Sequence, residues 1–163
     1  MTQVFYDTDI DEGILRERTI GILGYGNQGR VHALNLRDGG YRVLVGLRES
    51  SLKRHTARTD GIECASLEET AKRADFIVFA LPDLAHSQAF GEIESYLSPG
   101  KTLCFLHGFS VHYGLVNPSR DLSVVLMAPK GIAEEFRKQF VSGGGVPGVV
   151  AIAHDPLGEA LSL

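Results

Sequence analysis

Apolar residues fall in short runs, and each run gives way to a helix-like amphipathic stretch or to a loop opening on Gly, Pro, Asp or His. That alternation predicts an α/β fold, with a doubly wound, mostly parallel sheet carrying helices on both faces. The first run, 19–23, leads into Gly24 and a helical segment over 28–37 with Val31 and Leu34 on one face. A second strand at 41–45 is entered through Gly39 and Gly40, and Asp60-Gly61 mark a turn before a third at 62–65. Ser66 with Glu69 has capping-box spacing and opens a helix through Arg73. Residues 75–81 read as a fourth strand, apolar enough to be buried on both faces, and Pro82 ends it. A helix over 83–96, a turn at Pro99-Gly100 and strands at 102–106 and 124–127 follow, the last closed by Pro129. A helix over 132–140 is broken by Gly143, Gly144 and Gly145. Residues 146–153 add a strand interrupted at Pro147, and 157–163 begin a helix.

At 163 residues, with 44% apolar and 22% charged positions, the chain is expected to form one domain. Sixteen basic against 20 acidic side chains leave a net charge of -4, which argues against a nucleic-acid or anionic-membrane partner. Cys64 and Cys104 lie in apolar runs with no C-x-x-C pairing, and both read as core thiols of a reduced, cytoplasmic protein. The first ten residues carry Asp7 and Asp9 and no positive side chain, and the longest apolar run, 76–81, is too short to span a bilayer.

Gly24-Tyr25-Gly26-Asn27-Gln28-Gly29 matches G-x-G-x-x-G, between a strand and a helix. In that context the three glycines serve a tight turn, close backbone approach to a pyrophosphate, and helix-to-strand packing, as in a Rossmann-type domain. Free N–H groups opening the helix then face phosphate charge. At the end of the second strand the acid that would hold an NAD ribose is replaced by Gly46 and Arg48. Arg48, Lys53 and Arg54, with Ser50 and Ser51 among them, suit a 2'-phosphate and favour NADP over NAD. Pro82-Asp83, His107-Gly108 and Pro129-Lys130-Gly131 follow the later strands, where an open parallel sheet binds ligands. The His107 imidazole and the Lys130 ammonium can there polarise or protonate a substrate oxygen. No cluster has metal-ligand spacing, so no metal site is expected in this chain.

These strings, together with Phe5-Tyr6-Asp7, residues 32–38, Leu81-Pro82-Asp83, His112-Tyr113-Gly114, Ala128-Pro129-Lys130-Gly131 and Gly143–Pro147, resemble ketol-acid reductoisomerase in order and spacing. The resemblance covers essentially the whole chain but only the N-terminal half of that enzyme. It implies a single NADP-binding domain over 1–163, without the helical C-terminal domain that carries the magnesium carboxylates. It implies conversion of acetohydroxy acids to dihydroxy acids in branched-chain amino-acid synthesis, by magnesium-dependent alkyl migration and reduction by NADPH. Residue by residue, it implies that Tyr25 to Gln28 line the cofactor phosphates, that Arg48 and Ser51, with Lys53 in place of the family's serine, hold the 2'-phosphate, and that Asp83 to His86 border the cofactor. His107 would be the active-site histidine, with Lys130 beside substrate. The chain departs from the family at Asn27, Arg30 and Lys53, and at Ile132-Ala133-Glu134, where the family has Pro-Gly-His. Glu134 is expected to bring negative charge toward the cofactor. The chain alone is expected to bind NADPH and catalyse little, its substrate engaged only with a C-terminal domain. A stand-alone NADP-binding module, or a different reductase whose second domain comes from another chain, would show the same glycine and basic motifs.

Overall fold

The computed structural model describes residues 3–9, 11 and 13–160. Seven strands, β1 (Thr19–Leu23), β2 (Arg42–Gly46), β3 (Glu63–Ala65), β4 (Phe76–Phe79), β5 (Thr102–Phe105), β6 (Ser123–Pro129) and β7 (Gly148–His154), form one sheet in the order β3-β2-β1-β4-β5-β6-β7. All neighbours pair in parallel except β6 and β7. The chain winds outward from β1 to β3 and then crosses back to β4 on the other side of β1. Strand order therefore reverses between β1 and β4, and a crevice opens beyond their carboxyl ends.

The helices are α1 (Gly13–Arg16), α2 (Asn27–Asp38), α3 (Lys53–Thr59), α4 (Leu67–Arg73), α5 (Asp83–Ile93), α6 (Phe109–His112) and α7 (Ala133–Val141), with 3-10 turns at Asp7–Asp9 and Glu94–Tyr96. The central strands β1, β4 and β5 are almost wholly apolar because both faces are covered. Ile20, Ile22, Val45, Val78 and Cys104 pack in one cluster, and Leu23, Leu44, Ile77, Phe79, Leu103 and Phe105 in the other. On the second face α4 lies against β1, close enough that a Cβ on Gly21 would stand 2.7 Å from Thr70 Cγ2. Ser66 caps α4 by accepting from the Glu69 N–H at 3.1 Å, as its spacing predicts.

Several expectations shift. Lys53 and Arg54, where the sequence predicts no element, open α3, which buries only Ala57 and so leaves little periodicity to detect. The fourth strand stops at Phe79, and the helix over 83–96 splits, its last residues tightening into a 3-10 turn. Pro129 lies inside β6 rather than beyond it, and β7 begins after Pro147 and runs on uninterrupted. Residues 157–160 form bends and a turn instead of starting a helix, while 161–163 lie outside the described residues. Cys104 is fully buried, and burial pushes its thiol pKa up to about 12, whereas Cys64 is only half-buried. Among the described residues no helix is long and apolar enough to cross a membrane.

Candidate functional site

The sequence from β1 into α2 builds a backbone cradle. Gly24 has φ +98°, a left-handed conformation that a side chain resists, and its N–H donates to the Gly46 carbonyl at 3.1 Å, joining the tips of β1 and β2. A Cβ on Gly29 would stand 2.5 Å from the Gly24 carbonyl oxygen and 3.1 Å from Ala80 Cβ, so the helix can approach the strand only because no side chain intervenes. Around Gly26 nothing lies within 4 Å of a Cβ position. No side chain caps α2, so the N–H groups of its first turn face the opening beside Gly26. A glycine in open space is the room a pyrophosphate needs, and the cradle fits the dinucleotide implied by its sequence.

The side chains of the motif diverge. Tyr25 is 2% exposed and turns into the core, its phenol donating to Asp60 Oδ2 at 2.9 Å, so only its backbone can face a phosphate. Asp60, which the sequence marks only as a turn residue, also receives a bidentate Arg30 contact at 2.7 and 2.8 Å. Arg30 holds the Asp60 carboxyl below its usual range, while burial, reinforced by Asp60, pushes the Tyr25 phenol well above its own. Tyr25→Phe is expected to lower unfolding stability by about 1 kcal/mol and leave NADPH affinity unchanged, in paired denaturation and binding measurements. Gln28 Nε2 donates to the Gly131 carbonyl at 3.3 Å, drawing the loop after β6 onto the glycine turn. Its Oε1 is buried without a partner. Asn27 is exposed and, with Arg30, Ile132, Glu134 and Arg137, lines a groove of ≈ 790 Å³ between α2 and α7. Glu134 thus lines the same groove as Asn27 and Arg30 of the first turn of α2.

At the tip of β2, Arg48 is half exposed and reaches Glu92 at 3.4 Å. The Ser51 hydroxyl accepts from the Lys53 N–H at 3.3 Å, and the Lys53 side chain is exposed. Arg54 differs from its expected role. It donates inward to the carbonyls of Leu47 at 2.8 Å and Ala65 at 3.3 Å and pairs with Glu49 at 3.3 Å, tying α3 to the strand tips.

The tips of β4 and β5 bring three of the expected residues together. Asp83 opens α5, with its carboxylate 3.6 Å from His107 Nδ1 and 3.9 Å from His86 Nδ1. His107 is exposed, and its Nδ1 accepts from the Phe109 N–H at 3.3 Å. A neutral ring bonded in this way carries its proton on Nε2. His86 is 1% exposed between Phe79 and Phe105, with Nε2 2.9 Å from the Leu81 carbonyl and Nδ1 2.8 Å from Ser110 Oγ. A carbonyl only accepts, so Nε2 carries the hydrogen and the Ser110 hydroxyl donates to Nδ1. Burial lowers the His86 pKa, and both nitrogens are occupied, so the ring braces the β4 and β5 loops and offers no atom to a ligand. Its place was legible: His86, Ala89, Phe90 and Ile93 follow the spacing of one buried helical face. Nothing in the sequence marks Ser110 as its partner.

Lys130 is exposed at the end of β6, its N–H donating to the Pro147 carbonyl at 2.8 Å. No hydrogen bond or ion pair among the described residues links its ammonium to His107.

Comparison with known proteins agrees with this geometry. The family described as "Acetohydroxy acid isomeroreductase, NADPH-binding domain" matches residues 14–163. A ketol-acid reductoisomerase (NADP(+)) of Mycobacterium tuberculosis is 44% identical over 162 residues, covering 99% of this chain and 48% of the relative. That of Beutenbergia cavernae is 43% identical, covering 100% and 48%. The chain thus spans about half the length of the curated relatives it matches. A solved structure of an NADH-preferring ketol-acid reductoisomerase from an uncultured archean superposes with a TM-score of 0.93 at 35% identity, over 99% of this chain and 50% of that one. Matched by the family model over residues 14–163 and by these relatives over nearly its full length, the chain belongs to the acetohydroxy acid isomeroreductase family and corresponds to its NADPH-binding domain.

Proposed function

We propose that the chain binds NADPH across the carboxyl ends of β1, β2 and β4 and serves as the cofactor-holding part of a ketol-acid reductoisomerase. The observation that carries the reading is the division of labour among Gly24, Gly26 and Gly29: a left-handed turn, an open approach and a contact too tight for any side chain. The α2 N–H groups hold the pyrophosphate, and Arg48, Ser51 and Lys53 hold the adenosine 2'-phosphate. Bound NADPH supplies the hydride that reduces the substrate.

The residues around the crevice then have separable tasks. Asp83 stands 3.6 Å from His107 Nδ1, and the Phe109 N–H keeps the neutral ring's proton on Nε2. On this exposed ring Nε2–H is available to donate to a substrate oxygen. Lys130 adds a positive charge from the end of β6, on the loop that Gln28 draws toward the cradle. The substrate is an acetohydroxy acid of the 2-acetolactate type and the product a dihydroxy acid, a step of branched-chain amino-acid synthesis. The described residues do not fit the magnesium ions of that chemistry, since no group of three or more His, Cys, Asp or Glu among them can hold a metal ion. Two free cysteines, one of them deeply buried, support a cytoplasmic location.

Fluorescence titration of the purified chain with NADPH and NADH tests the reading. NADPH is expected to bind more tightly, and Arg48→Gln to weaken NADPH about tenfold while leaving NADH unchanged, the loss of one charge-assisted contact. Equal affinities for the two nucleotides would contradict the role given to Arg48.

A further inference from the structure

The guanidinium offered to the 2'-phosphate already has an anionic partner. Arg48 Nη2 lies 3.4 Å from Glu92 Oε1, and both side chains stay partly open to solvent. The carboxylate is fixed in that position: Gln88 Nε2, one turn earlier on α5, donates to the same Oε1 at 3.0 Å. The other cations of the segment stand differently. Arg54 is committed to the Leu47 and Ala65 carbonyls and to Glu49, and the Lys53 side chain is exposed on the first turn of α3.

The geometry points to Glu92 as a determinant of cofactor selectivity that acts through Arg48, a role that rests on the NADPH reading above. A 2'-phosphate must take the guanidinium from a carboxylate that is already placed, and the free energy of that exchange is subtracted from its binding. A ribose bearing only its 2'-hydroxyl has no such competition to win. Glu92 therefore narrows the preference for NADPH that Arg48 creates. It does so from the far end of α5, whereas the acid that ordinarily reads the ribose stands at the end of β2. Exchanging the carboxylate for an amide keeps an acceptor for Gln88 and removes the charge that holds Arg48.

NADPH and NADH binding, followed by nicotinamide fluorescence at constant ionic strength, tests this in the parent chain, E92Q, R48Q and the double variant. E92Q is expected to bind NADPH about three- to fivefold more tightly than the parent, the scale of a partly exposed ion pair, with NADH unchanged. In the R48Q background the same substitution is expected to leave NADPH affinity where it was, which places the effect in the Arg48–Glu92 pair. Unchanged or weaker NADPH binding in E92Q, an equal gain for NADH, or a gain that persists without Arg48 overturns the role of Glu92. Should neither the parent nor any variant bind either nucleotide, the cofactor reading itself fails and the inference with it.

Discussion

Gly26→Ala is expected to weaken NADPH binding about a hundredfold, close to 2.7 kcal/mol, while the melting temperature stays within about 2 °C of the parent. The site explains the separation. Gly26 lies at φ -76°, a conformation any residue adopts, and a Cβ there meets nothing within 4 Å. Alanine is a poorer residue than glycine at the start of a helix, but it also restricts the unfolded chain, and the two effects are similar in size and opposite in sign. The methyl group instead occupies the space through which a pyrophosphate reaches the N–H groups of α2. Gly29→Ala is the contrasting case. Its Cβ would sit 2.5 Å from the Gly24 carbonyl oxygen, so the turn between β1 and α2 must open. Stability is then expected to fall by about 1–3 kcal/mol together with affinity. Denaturant unfolding and NADPH titration of the two variants side by side show whether binding and packing separate at these positions.

Acid is expected to destabilise the chain through His32. This side chain is 6% exposed on α2, edge-on to the Phe136 ring at 5.1 Å, with Nε2 lacking any partner. Burial lowers its pKa to about 4, against roughly 6.5 in an unfolded chain. The folded state therefore favours the neutral ring. The contribution is whole above about pH 6.5 and is lost as pH falls toward about 4, where the unfolded chain binds the extra proton. The ceiling of that loss is about 3 kcal/mol. His86, also lowered by burial, acts with the same sign. Urea unfolding between pH 7.5 and pH 4 measures the slope, and His32→Leu is expected to remove most of it while leaving the His86 share. A slope identical in parent and variant would mean that His32 reaches water in the folded state.

The parts of the fold governed by local chemistry were readable in the sequence. The glycine turn, the cap at Ser66 and the two-faced burial of β4 depend on residues a few positions apart, and each stands where its pattern places it. What escaped the sequence depended on partners far along the chain. Tyr25 sits in a phosphate-binding motif, yet its ring turns inward because Asp60, 35 residues later, accepts its hydroxyl. Arg54 has the composition of a phosphate ligand, but two strand-tip carbonyls claim it. Helix α3 hid for another reason, since KRHTART presents a single buried alanine and no apolar stripe. The pair of Arg48 with Glu92 spans 44 residues and two elements, and neither residue signals the other in sequence. Candidate residues on strand tips were thus placed by position, while their charge partners became visible only in three dimensions.

Amide chemical shifts of the 15N-labelled chain, recorded as NADPH is added, test the central claim most directly. The N–H signals of Gly26, Asn27, Gln28 and Gly29 are expected to move on binding, together with those of Arg48 and Ser51, while addition of NADH moves the first group and largely spares the second. Shifts that leave the glycine turn untouched and gather elsewhere, for example in the groove between α2 and α7, would contradict a pyrophosphate seated on the first turn of α2.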